Sequence, residues 1–256
     1  FFAGLVFAVP TLIFIAMLAF VPPPSAKDII NRSTREPMTA ADRWHFFNKY
    51  APGLIGIILV YLFVTLLRSV RADFAVELWS GLGYHQTPAV FTQSELLVSF
   101  GVLIIIGFAV VIANHYKALN FSLFISFIGF AILLFTIAGL NAGLSKFPFM
   151  VLIGLGVYMP YVAVHAIVFE RLIAVTKERA NVGFLMYIVD SVGYTGYIAL
   201  MLLHYFVPAG SSMLSIFILM CIYLGIAGLL LIIFCYLYFK IKLENKRQPA
   251  TQLSAG

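Results

Sequence analysis

Residues 213–239, MLSIFILMCIYLGIAGLLLIIFCYLYF, contain no Asp, Glu, Lys, Arg or His. A helix needs ~20 consecutive apolar residues to cross a hydrocarbon core of ~30 Å, and this stretch exceeds that. In lipid, every backbone donor and acceptor must find its partner within the segment, which a helix achieves and an open strand does not. Met213–Phe239 is therefore read as a transmembrane helix. Its cysteines, Cys221 and Cys235, lie ~21 Å apart at ~1.5 Å per residue, beyond the reach of a disulfide. They read as small apolar packing groups, and no Cys/His spacing suited to a metal occurs.

Six further stretches share this character: Phe1–Val21, Tyr50–Ala72, Leu96–His115, Phe121–Gly139, Pro148–Arg171 and Val182–Phe206. Over the whole chain 62% of residues are hydrophobic and 10% charged, against ~45–50% and ~25% for an ordinary soluble domain. Mean hydropathy is +1.04. A water-soluble fold of this size could not hide so much apolar surface. The expected fold is an all-α membrane protein with seven transmembrane helices. The first span begins at Phe1 inside an apolar run without a basic leader region, unlike a signal peptide. It is expected to be the last helix (1–21) of a preceding bundle.

Charge sets the orientation. Ala26–Lys49, Tyr116–Asn120, Leu172–Asn181 and the tail from Lys240 fall on one side as connecting segments. With Arg171 at a span edge, they hold 13 of the 16 Lys and Arg, whereas the opposite connections hold Lys146. The positive-inside rule places the basic side and the C-terminus in the cytoplasm, as expected of a multi-pass bacterial inner-membrane protein. The net charge of +6 follows from this topology, and no basic, aromatic-interleaved run points to nucleic acid. Residues 22–49 form a linker: Pro22, Pro23 and Pro24 end the first helix. Thr39-Ala40-Ala41-Asp42 then opens as a capping box. A short amphipathic helix with Trp44, Phe46 and Phe47 should follow along the membrane surface. Ala51-Pro52-Gly53 would bend the chain into a six-helix unit (50–242), and a polar, disordered tail (243–256) ends it.

Ionisable groups within spans are costly in lipid and mark functional sites by default. Arg68 and Arg71 lie three apart in the second span and share a face, with Tyr61 seven residues before Arg68 on nearly the same line. A helix ending near Ala72 would leave both arginines snorkelling at its outer end. A helix continuing through Phe74–Trp79, which no Pro or Gly interrupts, would put Arg68 near mid-depth, where its fork suits a carboxylate or phosphate. In the fifth span Tyr158, Tyr161 and His165 form one stripe beside Pro160, which should kink the helix and free a carbonyl. The stripe suits either a transport cavity or a tyrosine-rich packing face. Glu170 adjoins Arg171 and reads as a surface ion pair. In the sixth span Tyr187, Asp190, Tyr194, Tyr197 and His204 share a line. Asp190, ~12 Å in from the helix start, would pair with an arginine as a gate, carry a coupling proton, or bind a neighbouring hydroxyl structurally. Gly193 and Gly196, and the step Gly139–Gly143, would let helices approach closely.

A final span, a basic cytoplasmic linker and six spans ending in a cytoplasmic tail resemble the major facilitator superfamily: the sixth helix, the central loop and the C-terminal six-helix half. Tyr61–Trp79, with Arg68, Arg71, Asp73 and Phe74, is similar to the first helix of each half in organophosphate:phosphate antiporters, where a basic residue at mid-membrane meets the substrate phosphate. The resemblance gives Arg68 that place. The segments Arg35-Glu36-Pro37-Met38, Asp42-Arg43, Phe46-Phe47, Ala51-Pro52-Gly53, Arg68–Glu77, Gly154–Tyr161 and Gly183–Gly193 also resemble an uncharacterised Bacteroidetes family of such transporters. Tyr116–Asn120 departs from the glycine- and arginine-rich loop of the superfamily.

The resemblance implies a secondary transporter of a small anionic solute, an organophosphate or carboxylate. Its two halves would rock about a central site, and the chain's partners would be the solute, the lipid bilayer, a coupling ion or counter-substrate and an N-terminal half. Arg68, Arg71, Tyr61, Tyr158, Tyr161, His165, Tyr187 and Tyr194 are the candidate substrate contacts, and Asp190 the coupling or gating residue. No catalytic residue, metal or cofactor is expected, since no HExxH, GxSxG, Walker or GxGxxG pattern occurs. The alternatives are a transporter-like receptor or assembly partner, and a membrane-embedded transferase. For the transferase, His165 and Glu170 sit ~140° apart around a helix, not as an acid–base pair.

Overall fold

The structure, a computed structural model, describes residues 2–25, 38–85, 88–178, 180–204 and 212–252. Lys27, Arg32, the Arg35–Pro37 motif, Arg179, the end of the expected sixth span at Phe206 and the last four residues of the tail lie outside these. The chain divides into two compact units, Phe1–Pro37 and Met38–Gly256. The first holds α1 (Phe2–Leu18), an apolar helix with Pro10 inside it. At 17 residues it stands at the short end of the ~17–25 that cross a bilayer. Among the described residues six helices, all in the second unit, are long and apolar enough to cross a membrane. The protein is an all-α, multi-pass membrane protein, with six such helices where seven spans were expected.

The capping box at Thr39 forms. The Asp42 amide donates to the Thr39 hydroxyl oxygen at 3.2 Å, and the Thr39 amide donates to the Asp42 carboxylate at 3.0 Å. The helix it opens is not separate from the second span. α2 runs Ala40–Asp73 with one non-helical residue, Tyr50 (φ −117°, ψ 15°). Pro52 explains the kink, because it offers no amide to the carbonyl of Asn48 and its ring presses on that turn. α2 stops at Phe74 (φ −106°, ψ 26°), and α3 (Ala75–Gly81) begins at once. The uninterrupted helix through Trp79 is thus broken by a single residue.

α4 (Pro88–Val111) and α5 (His115–Asn141) are joined by residues 112–114. The segment Tyr116–Asn120, expected as a loop, belongs to the first turns of α5. The Asn114 side chain accepts from the Lys117 amide at 3.1 Å, satisfying one of the free donors at that end. The Gly139–Gly143 step is a turn rather than a helix crossing: Gly143 has φ +93°, and a Cβ added there would meet nothing within 4 Å. α6 (Lys146–Ala163), a π-helical turn (Val164–Val168) and α7 (Phe169–Thr176) follow without interruption. The π turn starts four residues after Pro160, and such turns collect where the regular bond ladder is disturbed. α8 is Val182–His204 and α9 is Met213–Gln252. The tail expected to be disordered from 243 continues as helix to Gln252.

The core is built where backbones come close. A Cβ on Gly156 would stand 2.9 Å from the Gly129 carbonyl oxygen and the Leu133 nitrogen, and one on Gly129 would stand 2.5 Å from Pro160 Cδ. α5 and α6 therefore cross with almost no side chain between them, an arrangement that serves van der Waals packing in lipid. Gly193 and Gly196 do admit a close neighbour, with Cβ positions 3.2 Å from Thr65 Cγ2 and 2.3 Å from Leu62 Cδ1 of α2. Gly53 and Gly56 seat Tyr238, Phe239 and Cys235 of α9. Both cysteines are buried and free. Large apolar side chains such as Leu103, Phe135 and Leu230 are exposed on the bundle's outside, as lipid-facing positions require.

Candidate functional site

The polar residues of α2, α6, the π turn and α8 converge on Tyr61. Its ring is 2% exposed and stacks on Tyr161 at 5.3 Å and on His165 at 6.2 Å. Tyr161 and His165 stack at 5.8 Å, and Tyr158 meets Tyr161 edge-on at 6.5 Å. The Tyr61 hydroxyl donates to Asp190 Oδ1 at 2.6 Å. Asp190 takes no ion pair among the described residues, and the hydroxyl of Tyr61 holds its carboxylate. Tyr161 lies midway along the continuous helix Lys146–Thr176, so the cluster sits at mid-depth of the bundle.

Arg68 enters this cluster. Its guanidinium carbon lies 4.6 Å from the Tyr161 ring centroid, a cation–π distance. Its Nε is buried without a hydrogen-bond partner, and no described carboxylate pairs with it. α2 does end near Ala72, yet Arg68 does not snorkel outward. Helical side chains lean toward their own N-terminus, which here carries the charge inward to Tyr161.

Arg71 is in a different state. Its side chain is 3% exposed. It pairs with Glu95 of α4 and donates to the Met150 carbonyl at 3.3 Å. Gly154 makes room for it, since a Cβ there would stand 2.9 Å from Arg71 Nη2. A cavity of about 250 Å³ adjoins the pair, lined among others by Trp79, Phe91 and Met150. Sequence reading missed Glu95 because it starts the third span at Leu96. The apolar surroundings of Arg71 call for a carboxylate, and Glu95 is the acidic residue that α4 contains. Asp73, next to the helix break, accepts from the Tyr197 hydroxyl of α8. Tyr187 and Tyr194 stand apart from the Tyr61 cluster and are exposed, at 77% and 55%. The side chain of His204 lies outside the described residues. Glu170 is exposed and does not pair with Arg171, whose Nη1 lies 2.9 Å from His115 Nδ1.

Removing one partner of the Arg71–Glu95 pair strands a charge. For fully buried pairs this costs ~3–5 kcal/mol. Glu95 is 48% exposed, so Glu95→Ala is expected to cost about 2–3 kcal/mol. Thermal melting in detergent should register that loss, and the double variant Arg71→Met/Glu95→Met should recover most of it. A Glu95→Ala melt equal to wild type would remove the pair from the stability of the bundle.

These features define a multi-pass helical membrane protein with an ionisable and aromatic cluster inside its bundle. The chain belongs to DUF5690, a family of unknown function whose model matches residues 1–242. No curated protein and no solved structure matches the chain.

Proposed function

We propose that the protein is a secondary transporter of a small anionic solute, of the major facilitator type, with Arg68 as the anion contact. The observation that carries this reading is the state of Arg68, a guanidinium at mid-bundle beside Tyr161 with no carboxylate among the described residues to neutralise it. An unpaired charge in a membrane span is expensive, and a phosphate or carboxylate on the solute would offset that cost with fork-shaped hydrogen bonds. Tyr61, Tyr158, Tyr161 and His165 supply an aromatic wall and further donors. The hydroxyl–carboxylate link from Tyr61 to Asp190 is the element through which a proton or solute would act on α8. Tyr187 and Tyr194, exposed on α8, are free to line the solute path. Arg71, held by Glu95, shapes the outer end of that path. The basic connections and the C-terminus lie in the cytoplasm, and the membrane is the bacterial inner membrane.

The test is uptake by proteoliposomes of the intact protein, using a panel of phosphorylated, carboxylated and neutral solutes. Anionic solutes should accumulate above protein-free liposomes and compete with one another, while neutral ones should do neither. Uptake confined to neutral solutes, or absent throughout the panel, would overturn the reading.

A further inference from the structure

A second polar feature lies away from the Tyr61 cluster, in a groove of about 760 Å³ between the start of α5 and the end of α9. Its body is apolar, walled by Phe121, Phe124 and Phe127 on one helix and Ile232 and Ile233 on the other. Its mouth is polar, formed by Lys117, Asn120 and Tyr236. The Asn120 side-chain oxygen is buried and receives no hydrogen bond, which is costly for a polar atom at the edge of a membrane span.

The mouth is also positively charged. α5 and α9 run antiparallel, because Gly225 meets Leu134 and Gly228 meets Phe130. From that crossing, Lys117 is thirteen residues back along α5 and Lys240 twelve residues forward along α9. At ~1.5 Å per residue both travel ~20 Å toward the same side. Lys240 falls on the face of α9 that carries Ile232 and Tyr236, at i+8 and i+4. Arg171 touches His115 two residues before Lys117, and its Nε is buried without a partner. No described carboxylate pairs with Lys117, Lys240 or Arg171.

We propose that this groove is a binding site for an anionic phospholipid with a hydroxylated headgroup, of the phosphatidylglycerol type. The acyl chain lies along the phenylalanine wall, the phosphate meets Lys117 and Lys240, and a headgroup hydroxyl donates to the Asn120 oxygen. The division of the groove matches an amphiphile: an apolar trough reaching into the core and cations with an orphan acceptor where headgroups stand. A free phosphate would satisfy the cations and leave the trough empty. A choline headgroup has no donor for Asn120, and an ethanolamine headgroup brings a positive charge to a mouth that already holds Lys117. This site depends on the membrane fold alone and not on the transport reading.

The experiment is lipid retention on the detergent-purified protein, read by native mass spectrometry with equimolar phosphatidylglycerol, phosphatidylethanolamine and phosphatidylcholine. Wild type should retain phosphatidylglycerol about tenfold over phosphatidylcholine, the effect of one charge-assisted contact. Lys117→Gln and Asn120→Leu should each remove most of that preference, and Lys146→Gln should keep it. Inorganic phosphate at the same concentration should not displace the lipid. Equal retention of the three lipids by wild type, a preference untouched in Lys117→Gln, or displacement by phosphate would each overturn the proposal. If Lys117→Gln does not purify as a single species, the wild-type competition decides by itself.

Discussion

Arg68→Ala is expected to weaken anion uptake by about ten- to a hundredfold while leaving the melting temperature unchanged or raised. The first half follows from losing charge-assisted hydrogen bonds to the solute, ~1.5–3 kcal/mol in all. The second follows because the charge is already uncompensated. Its Nε has no partner and no carboxylate among the described residues pairs with it, so removal relieves a desolvation cost and gives up a cation–π contact of ~0.5–2 kcal/mol. Arg68→Lys should retain part of the uptake, because the charge persists but the fork geometry does not. Arg71→Ala should show the opposite signature and lower stability, because it abandons Glu95 and the Met150 carbonyl. Uptake and melting measured on the four proteins separate a binding arginine from a structural one. Wild-type uptake by Arg68→Ala would remove Arg68 from the solute path.

The second large effect concerns the α5–α6 crossing. Gly156→Leu should prevent recovery of a monodisperse folded protein, and Gly156→Ala should cost roughly 1–3 kcal/mol, the usual range for overpacking. The obstacle for any side chain at 156 is backbone, namely the Gly129 oxygen and the Leu133 nitrogen at 2.9 Å. Backbone cannot rotate aside as a side-chain tip can, so the helices must part. Gly107→Ala is the matching control, since a Cβ there meets nothing within 4 Å and the change should be neutral within error. Size-exclusion profiles and thermal melts of the three variants check this. A Gly156→Leu protein with a wild-type melt would show that the crossing tolerates separation.

What the sequence revealed divides along physical lines. The spans were legible because lipid demands long apolar helices, and Met213–Phe239 meets that demand by composition alone. The capping box at Thr39 was legible because it depends on four neighbouring residues, and the close approach at Gly193 and Gly196 because small residues in a span admit a neighbour, although which helix comes close was not. The break at Phe74 was not, because Phe74–Trp79 holds no Pro or Gly to announce it. The linker helix and the second span merge because Pro52 kinks α2 without ending it. Tyr61, Tyr158, Tyr161 and His165 were found as stripes on separate helices, and their convergence required knowing how α2 and α6 face each other. For the same reason Tyr187 and Tyr194 share a helical line with Asp190 yet not its surroundings. Sequence put Arg68 and Arg71 on one helix face and preferred Arg68 by depth and by resemblance, with no view of what Arg71 pairs with. Glu95, 24 residues beyond Arg71, is what distinguishes them, and no local pattern connects the two.

That separation along the chain has a consequence for synthesis. α2 is complete, with Arg71 near its end, before the ribosome has added Glu95. Until α4 arrives, the nascent chain holds the Arg71 guanidinium without the carboxylate it pairs with in the fold, and an uncompensated charge in the bilayer is disfavoured. The two helices therefore gain by leaving the insertion machinery together as a hairpin rather than one after the other. Glu95 thus bears on how this protein enters its membrane as well as on how it stands there.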